Sequence, residues 1–496
     1  MKKIKLRSKE WFDNPKDPGL TALYLERYLN YGLKRKDLQS GKPIIGIAQS
    51  GSDLSPCNRH ILDLSKNIKK GIVNAGGVPM EFPTHPIQET GKRPTAALDR
   101  NLSYLSLVEV LYGYPLDGVV LTTGCDKTTP AALMAAATVN IPSIILSGGP
   151  MLDGHYKGQK AGSGTIIWEA RKLYSKGEID YDQFMDMATA SSPSVGHCNT
   201  MGTASTMNSI AEALGMSLPG CAIIPAPYPE RKKISYKTGQ RIVNMVRENL
   251  TPSKIMTKKA FENAVVVASA IGGSSNATTH LLAIAKHMGI KFDLSNWQKL
   301  GHKIPLLVDC QPAGKYLMEG FYKAGGIPAV MKELIKNKKL NTKVKTVTGK
   351  NLGQNIKSKI KVNSKVIKTF KKNLSKYAGF LVLRGNFFNS AIMKTSVISD
   401  EFKKRYLSDP DRPNSFICKA VVFEGPEDYH KRINSKKLNI DEKSILIIRG
   451  CGPIGYPGSA EVVNMQPPDA LLKKGINALP TPVSYTHLTL PTMELV

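Results

Sequence analysis

Residues 122–150 read TTGCDKTTPAALMAAATVNIPSIILSGGP. With the apolar DGVVL before them, they spell a buried strand, a sharp turn carrying Cys125, Asp126 and Lys127, an Ala-rich helix, and a second buried strand ending in Gly148-Gly149-Pro150. Apolar β-branched runs bounded by Gly, with a helix between them, predict a βαβ unit and a parallel sheet. Pro130 falls at the helix start, where its missing N–H does no harm. In such sheets sites form at the carboxyl ends of the strands. Here that end presents a thiol, a carboxylate and an amine in a row.

Working outward, KPIIGIAQS predicts a first strand running into a turn with Cys57, followed by a helix, the strand VPMEFPT and a loop holding Glu89. AALDRNLSYLSLVEVLYGY predicts the helix that leads back to the central strand. After Pro150 come a Gly-rich loop and helices through Met187, then GHCNTMGTASTMN, a turn with Cys198 and a helix of small residues. Residues 229–260 predict a helix with Lys and Arg outward. FENAVVVASAIGG fits either a strand or a buried helix end, and IPLLVDCQPAG predicts a strand. From about 340 to 376 the chain turns polar, Lys-rich and aperiodic, a candidate domain boundary. Beyond it, AGFLVLRGN, SFICKAVVFEG and SILIIRGCG are short strands between turns, which predicts a smaller β-rich domain, barrel-like in form. The expected units are an α/β/α domain over 1–372, a β-rich domain over 373–481, and a non-native tail over 482–496, where SYTHLTLPT does not read as evolved sequence.

Composition narrows the class. The 496 residues, 41% hydrophobic, suffice for two or three cores, and no apolar run reaches the ~18 to 20 residues that span a bilayer. The N-terminus is basic but has no apolar segment of a secretory signal. Seven widely spaced cysteines do not form a disulfide framework, so a reducing cytoplasm is expected. The net charge of +30 raises nucleic-acid binding as a reading. The excess is mostly Lys, concentrated between Lys332 and Lys376, with no recognition motif beside it. A solvated lysine surface explains it better, and neither a nucleic-acid nor a membrane partner is expected.

Cys57, Cys125 and Cys198 share one context, a turn beside a helix start, where thiolates are stabilised and make good ligands for soft metals. Three cysteines can hold an iron–sulfur cluster and leave one iron open as a Lewis acid. Cys221, Cys310, Cys418 and Cys451 read as small packed hydrophobes. Glu89 and Asp126 are oxygen donors of the kind Mg²⁺ prefers. Lys127 ligates only if its amine is converted, for instance to a carbamate.

The chain resembles the dihydroxy-acid and sugar-acid dehydratase (IlvD/Edd) family over nearly its whole length. The resemblance is carried by SDLSPCNRH (52–60), HPIQETGKRPTAALDRN (85–101), TTGCDKTTPA (122–131), SGGPM (147–151), GHCNTMGTASTMN (196–208), GGSSNATTHL (272–281) and GPIGYPGSAEVVNMQPPDAL (452–471). GHCNTMGTASTMN and GYPGSAE are closest to the pentonate branch. The resemblance implies a [2Fe-2S] cluster on Cys57, Cys125 and Cys198. It implies Mg²⁺ on Glu89, Asp126, a carbamylated Lys127 and Glu461, and a homodimer or homotetramer. It also implies substrate contacts from Ser147, Gly149, Pro150, Met151, Ser274 and Asn276, positions that helix capping and tight turns also explain. The expected reaction dehydrates a pentonate such as xylonate or arabinonate to a 2-keto-3-deoxy acid. The alternatives are a dihydroxy-acid dehydratase of branched-chain amino-acid synthesis, a 6-phosphogluconate dehydratase, and, more distantly, a basic nucleic-acid-binding protein. The family's serine base is expected in a segment beyond Thr481, so no catalytic base is assigned within this chain, which is expected to be inactive as it stands.

Overall fold

The computed structural model describes residues 5–30, 32–87, 96–356, 360–384, 391–412, 415, 417–449 and 465–480. Four strands, β1 (Ile44–Gln49), β2 (Val78–Pro83), β3 (Gly118–Thr123) and β4 (Ser143–Ser147), form a parallel sheet in the order β2-β1-β3-β4. Ile44 lies opposite Val78, Ile45 opposite Gly118, and Val119 opposite Ser143. Every residue of β1, β3 and β4 is buried, because helices cover both faces. That is why the middles of these strands read as apolar runs without alternation, with polar residues only at the ends.

Helix α1 (Ile61–Asn74) carries the chain from β1 to β2, and α2 (Ala96–Gly113) returns it to the far side of β1. The strand order therefore reverses between β1 and β3, and open α/β sheets take their ligands outside the carboxyl ends at such a reversal. Helix α3 (Thr128–Val139) joins β3 to β4. Residues Thr128 to Ala137 of α3 are all buried, as expected of a helix apolar all round. On one face of the sheet α1 packs against α5 (Pro229–Arg247); on the other, α2 packs against α3. The result is three layers, α/β/α.

A second tier surrounds α3. It comprises α4 (Thr203–Ala213), α6 (Lys258–Ala270) and α7 (Asn276–His287). The ambiguous FENAVVVASAIGG run is thus a helix, α6, buried from Phe261 onward apart from Glu262. The IPLLVDCQPAG segment is not a regular strand. Leu306, Val308 and Cys310 make isolated bridges to Ser375, Ile367 and Tyr316, three different partners, so no ladder can propagate. After Pro150 a short hairpin of β5 (Gly154–Tyr156) and β6 (Gln159–Ala161) interrupts what reads as loop.

The Lys-rich region alternates sharply. Leu334, Leu340, Val344 and Val347 are buried in the main core, while Lys332, Lys336, Lys338, Lys339, Lys343, Lys345 and Lys350 are exposed. That is a solvated lysine surface on a packed segment. The main core continues to Phe380, whose ring meets Trp297 edge-on at 5.4 Å. Further on, β7 (Phe380–Leu383) pairs antiparallel with β8 (Ala391–Lys394), and β9 (Lys419–Phe423) pairs parallel with β10 (Ser444–Ile448). Val421, Phe423, Tyr429, Leu446, Ile448 and Leu471 build a separate small core. Among the described residues these C-terminal strands form two separate two-stranded sheets. No described helix is long and apolar enough to cross a membrane.

Candidate functional site

The strand reversal sets the first two cysteines side by side. Cys57 lies in a single 3₁₀ turn, Pro56–Asn58, after β1, and Cys125 lies between β3 and α3. Asn58 Oδ1 accepts the Cys125 backbone N–H at 2.8 Å, and Asn58 Nδ2 donates to Ser50 Oγ at 3.3 Å. Gly124 makes this approach possible. A Cβ there would collide with Asn58 Oδ1 and lie 3.5 Å from the Cys57 carbonyl oxygen. Thr128 Oγ1 closes the turn, accepting from Gly124 N at 3.1 Å and donating to Cys125 O at 2.7 Å.

A second asparagine braces the same turn from α4. Asn208 Oδ1 accepts from Thr123 Oγ1 and Thr129 Oγ1 at 3.0 and 3.1 Å, and its Nδ2 donates to Gly124 O at 3.2 Å. Its second amide N–H donates to Ala204 O of its own helix at 2.9 Å, so the side chain ties α4 to β3, the turn and α3 at once.

The third cysteine arrives through the turn after β4. Gly148 N donates to Thr123 O at 2.6 Å, which carries the sheet ladder past the strand ends, and Pro150 then bridges to His197. His197 N donates to Gly149 O at 3.0 Å and Met151 N donates to His197 O at 2.9 Å. His197 Nδ1 donates to the Cys198 carbonyl at 3.0 Å, and Ser205 Oγ donates to the same oxygen at 3.3 Å. His60 Nε2, from the Cys57 turn, reaches over to Gly148 O at 2.9 Å. Cys57, Cys125, the Ser147–Met151 turn and Cys198 thus follow one another along the carboxyl edge.

The polar atoms of Ser147–Met151 already serve the fold. Ser147 Oγ accepts from Gly149 N at 3.2 Å and donates to Ala222 O at 3.4 Å. Gly149, at φ +89, backs directly onto Arg231 and the Ile224 carbonyl, where no side chain fits. Arg231 is fully buried and donates to Ser147 O at 2.6 Å, Cys221 O at 2.8 Å and Ile224 O. Glu212 lies nearby, accepting from Gly220 N and Ala222 N at 2.7 and 2.9 Å. Burial raises its pKa to about 7 against the pull of those N–H groups and of Arg231.

The Ser274 and Asn276 turn joins from the second tier. Ser274 Oγ and Asn276 Nδ2 both meet Thr203 Oγ1 at 2.9 Å, and Ser274 N donates to Thr206 Oγ1 at 2.9 Å. Both residues therefore sit against the first turn of α4, just after Cys198.

Asp126 is half-buried, and Lys127 is fully buried at the N-cap of α3. A helix N-terminus favours the thiolate and carboxylate before it and disfavours an ammonium. The histidines around the edge are neutral. Burial holds His60 and His280 below the usual range and takes His197 down to about 3. Cys221 and Cys310 are different: burial raises both thiols, and Cys310 Sγ points at Leu317 O at 3.7 Å. Among the described residues no three His, Cys, Asp or Glu side chains converge on a single ion. Glu89 and Glu461 lie outside the described residues. Asn58, Asn208, Arg100, Arg231 and His280, whose Nδ1 lies 3.0 Å from Arg100 Nη1, are the functional candidates that sequence reasoning missed. The first three and His280 stood inside quoted motifs, yet only their long-range partners reveal a task.

Two family models match the chain. Dihydroxy-acid/6-phosphogluconate dehydratase N-terminal covers residues 42–355, and the corresponding C-terminal model covers 365–481. A D-xylonate dehydratase of Caulobacter vibrioides is 59% identical over 96% of this chain and 80% of its own length. An L-arabinonate dehydratase of Rhizobium leguminosarum is 44% identical over 95% and 79%. A dihydroxy-acid dehydratase of Thermodesulfovibrio yellowstonii is 36% identical over 88% and 78%.

Proposed function

The chain belongs to the dihydroxy-acid/6-phosphogluconate dehydratase family and is a hydro-lyase, and we propose that its substrate is a sugar acid, a pentonate such as xylonate or arabinonate. The observation that carries this reading is the gradient of identity, 59% to the xylonate enzyme against 36% to the dihydroxy-acid enzyme, over most of the chain in both cases.

Two placements support the cofactors this reading requires, with the three described thiols set along one edge and not converged on one point. Three thiols lie along one edge at helix starts, which suits an iron–sulfur cluster shared between turns. Lys127 is fully buried at the N-cap of α3, the positive end of that helix, a position that suits an anionic group such as a carbamate. In this proposal Cys57, Cys125 and Cys198 hold a [2Fe-2S] cluster, and Glu89, Asp126, carbamylated Lys127 and Glu461 hold Mg²⁺. When bound, these groups supply Lewis-acid chemistry, neutralising the carboxylate and assisting departure of the C3 hydroxyl.

The chain's own residues supply the frame. Asn58 and Asn208 fix the Cys125–Lys127 turn so that thiol, carboxylate and modified amine keep one geometry. Ser147, Gly149, Pro150 and Met151 form one wall, pinned from behind by Arg231. Ser274 and Asn276, tied to Thr203, form the other. The net reaction removes the C2 proton and the C3 hydroxyl as water, and the resulting enol becomes a 2-keto-3-deoxy acid. Family membership also supports a homodimer or homotetramer in the cytoplasm.

The test is a ranking of ligands on iron- and magnesium-loaded protein. Calorimetric binding of D-xylonate, L-arabinonate and 2,3-dihydroxy-3-methylbutanoate is compared, with keto-acid release measured wherever turnover occurs. The sugar acids are expected to bind at least about tenfold tighter, roughly the worth of one well-placed hydrogen bond. Preference for the branched acid would overturn the assignment.

A further inference from the structure

The positive charge of this chain is unevenly spread. The whole carries 69 Lys and Arg against 39 Asp and Glu, yet residues 5–30 and 96–117 together hold six against seven. These two stretches meet in the fold. The Trp11 ring stacks on Tyr24 at 4.1 Å and reaches Tyr114 at 5.6 Å. Arg7 Nη1 donates to Leu111 O and Leu116 O at 3.2 and 3.1 Å. The helix Pro18–Leu29 is thereby tied to the end of α2.

This region holds more apolar side chains than its core takes in. On α2, Tyr104, Leu107 and Leu111 are buried in the main core, while Leu102, Leu105 and Tyr112 are exposed. Positions 102, 105, 109 and 112 recur at helical spacing, one outward row about 15 Å long. Glu109 is its one charge. A surface helix ordinarily turns its polar residues to that side. The Pro18–Leu29 helix leans on the core through half-buried Tyr24, Leu25 and Tyr28, fully buries only Thr21, and exposes Leu20, Leu23 and Leu29. Twelve residues so lightly packed make a marginal helix in water. Single exposed apolar residues are ordinary, but a continuous row edged by Trp and Tyr marks a binding face.

The charge points to the occupant. An acidic protein, a nucleic acid or an anionic membrane is drawn to the lysine surfaces elsewhere, not to the one region without a positive excess. Two copies of a chain at +30 repel each other over the rest of their surface and can meet here. A two-fold axis also suits the exposed charges of this face, since it can set Arg27 of each copy against Glu109 of the other. We propose that α2 and the Pro18–Leu29 helix form the face on which a second copy of this chain docks about a two-fold axis. The inference gives a place to the homo-oligomer read above from family membership, and it rests on that reading. A specific dimer covers about 800 Å² and roughly 20 residues of each partner, the scale of one side of these two helices. The contact also reaches the frame of the site. The Tyr112 hydroxyl, on the outward row, donates to Thr138 O of α3 at 3.1 Å, so a partner seated on α2 clamps it to the helix that begins just after Lys127.

The experiment is sedimentation velocity on the full chain over a dilution series. Wild type should run as a dimer or larger even-numbered assembly and dissociate on dilution. Leu105→Lys and Leu23→Lys each bury an unpaired charge on both copies and should weaken the dimer at least about a hundredfold. Val73→Lys alters a residue just as exposed, but on α1 at the other face of the sheet, and should leave the dimer intact. If the lysine variants of the face do not fold, hydrogen–deuterium exchange on wild type serves instead: amides of 18–29 and 96–113 should lose protection on dilution. A wild type monomeric at every attainable concentration overturns the homo-oligomer reading and this inference together, and binding of that monomer to phosphatidylcholine vesicles would give the face to a membrane. A wild-type oligomer whose affinity is unchanged in both Leu105→Lys and Leu23→Lys, or whose dilution leaves exchange in both helices unaltered, overturns the placement of the face alone.

Discussion

Asn58 Oδ1 accepts the backbone N–H of Cys125 at 2.8 Å, so the turn after β1 and the turn after β3 move as one. Both residues are buried, and no solvent replaces the bond when it is cut. Asn58→Ala should therefore cost about 1–3 kcal/mol of stability, the penalty of a buried unanswered N–H, and should lower iron per chain in anaerobically prepared protein. Asn58→Asp keeps the acceptor and should retain most of both. Urea midpoints and iron quantitation check this; unchanged iron in Asn58→Ala would separate the bond from cofactor retention.

The cysteines divide into two groups by surroundings. Cys57→Ser, Cys125→Ser and Cys198→Ser should each bleach the visible absorption and remove most of an expected content of about two irons per chain. Cys310→Ser should leave both intact, because that thiol is buried with its pKa raised and faces the Leu317 carbonyl. Full iron retention in all of the first three would sink the ligand assignment.

Arg231 is a fully buried cation whose guanidinium serves three carbonyls and backs the Gly149 turn. Arg231→Met leaves those oxygens without donors, at about 1–3 kcal/mol for each that water cannot reach. A lowered urea midpoint is expected, with partial recovery in Arg231→Lys, whose single nitrogen cannot span the same fork. A midpoint equal to wild type in Arg231→Met would show that the turn stands without its brace.

Glu212 carries a pH signature. Its carboxyl is raised by burial to about 7 in the folded protein, against 4.5 when unfolded. Between those values the folded chain holds a proton that the unfolded chain has released. The contribution is therefore complete below about 4.5 and is lost as pH rises through about 7. At about 1.36 kcal/mol per pH unit, the loss is at most about 3 kcal/mol. Melting curves of wild type and Glu212→Gln from pH 5 to 8 should converge or cross in that window. A constant difference across it would refute the raised carboxyl.

The sheet was legible because burial on both faces keeps the middles of β1, β3 and β4 apolar, with Gln49, Thr122, Thr123, Ser143 and Ser147 only at their ends. The FENAVVVASAIGG run from Phe261 stayed ambiguous for the same reason: an apolar run buried on nearly all sides has no period to read. The Leu306–Cys310 segment misled, since its alternation serves three unrelated partners. The β5–β6 hairpin is only three residues a side, too short for any pattern. Along the carboxyl edge, the shared turn-and-helix context of Cys57, Cys125 and Cys198 was legible. Asn58, Asn208, Arg231 and His280 were not, because their meaning lies in contacts with residues far along the chain.

The brace from Asn208 also sets a clock on biosynthesis. The chain leaves the ribosome N-terminus first, and the four strands are all available once Ser147 has emerged. At that moment the Cys125 turn still lacks the side chain that grips Thr123, Gly124 and Thr129, and the third thiol has not been made. A nascent chain therefore offers two thiols on a half-braced edge until α4 docks. The edge reaches its final geometry only after at least the first 213 residues have emerged.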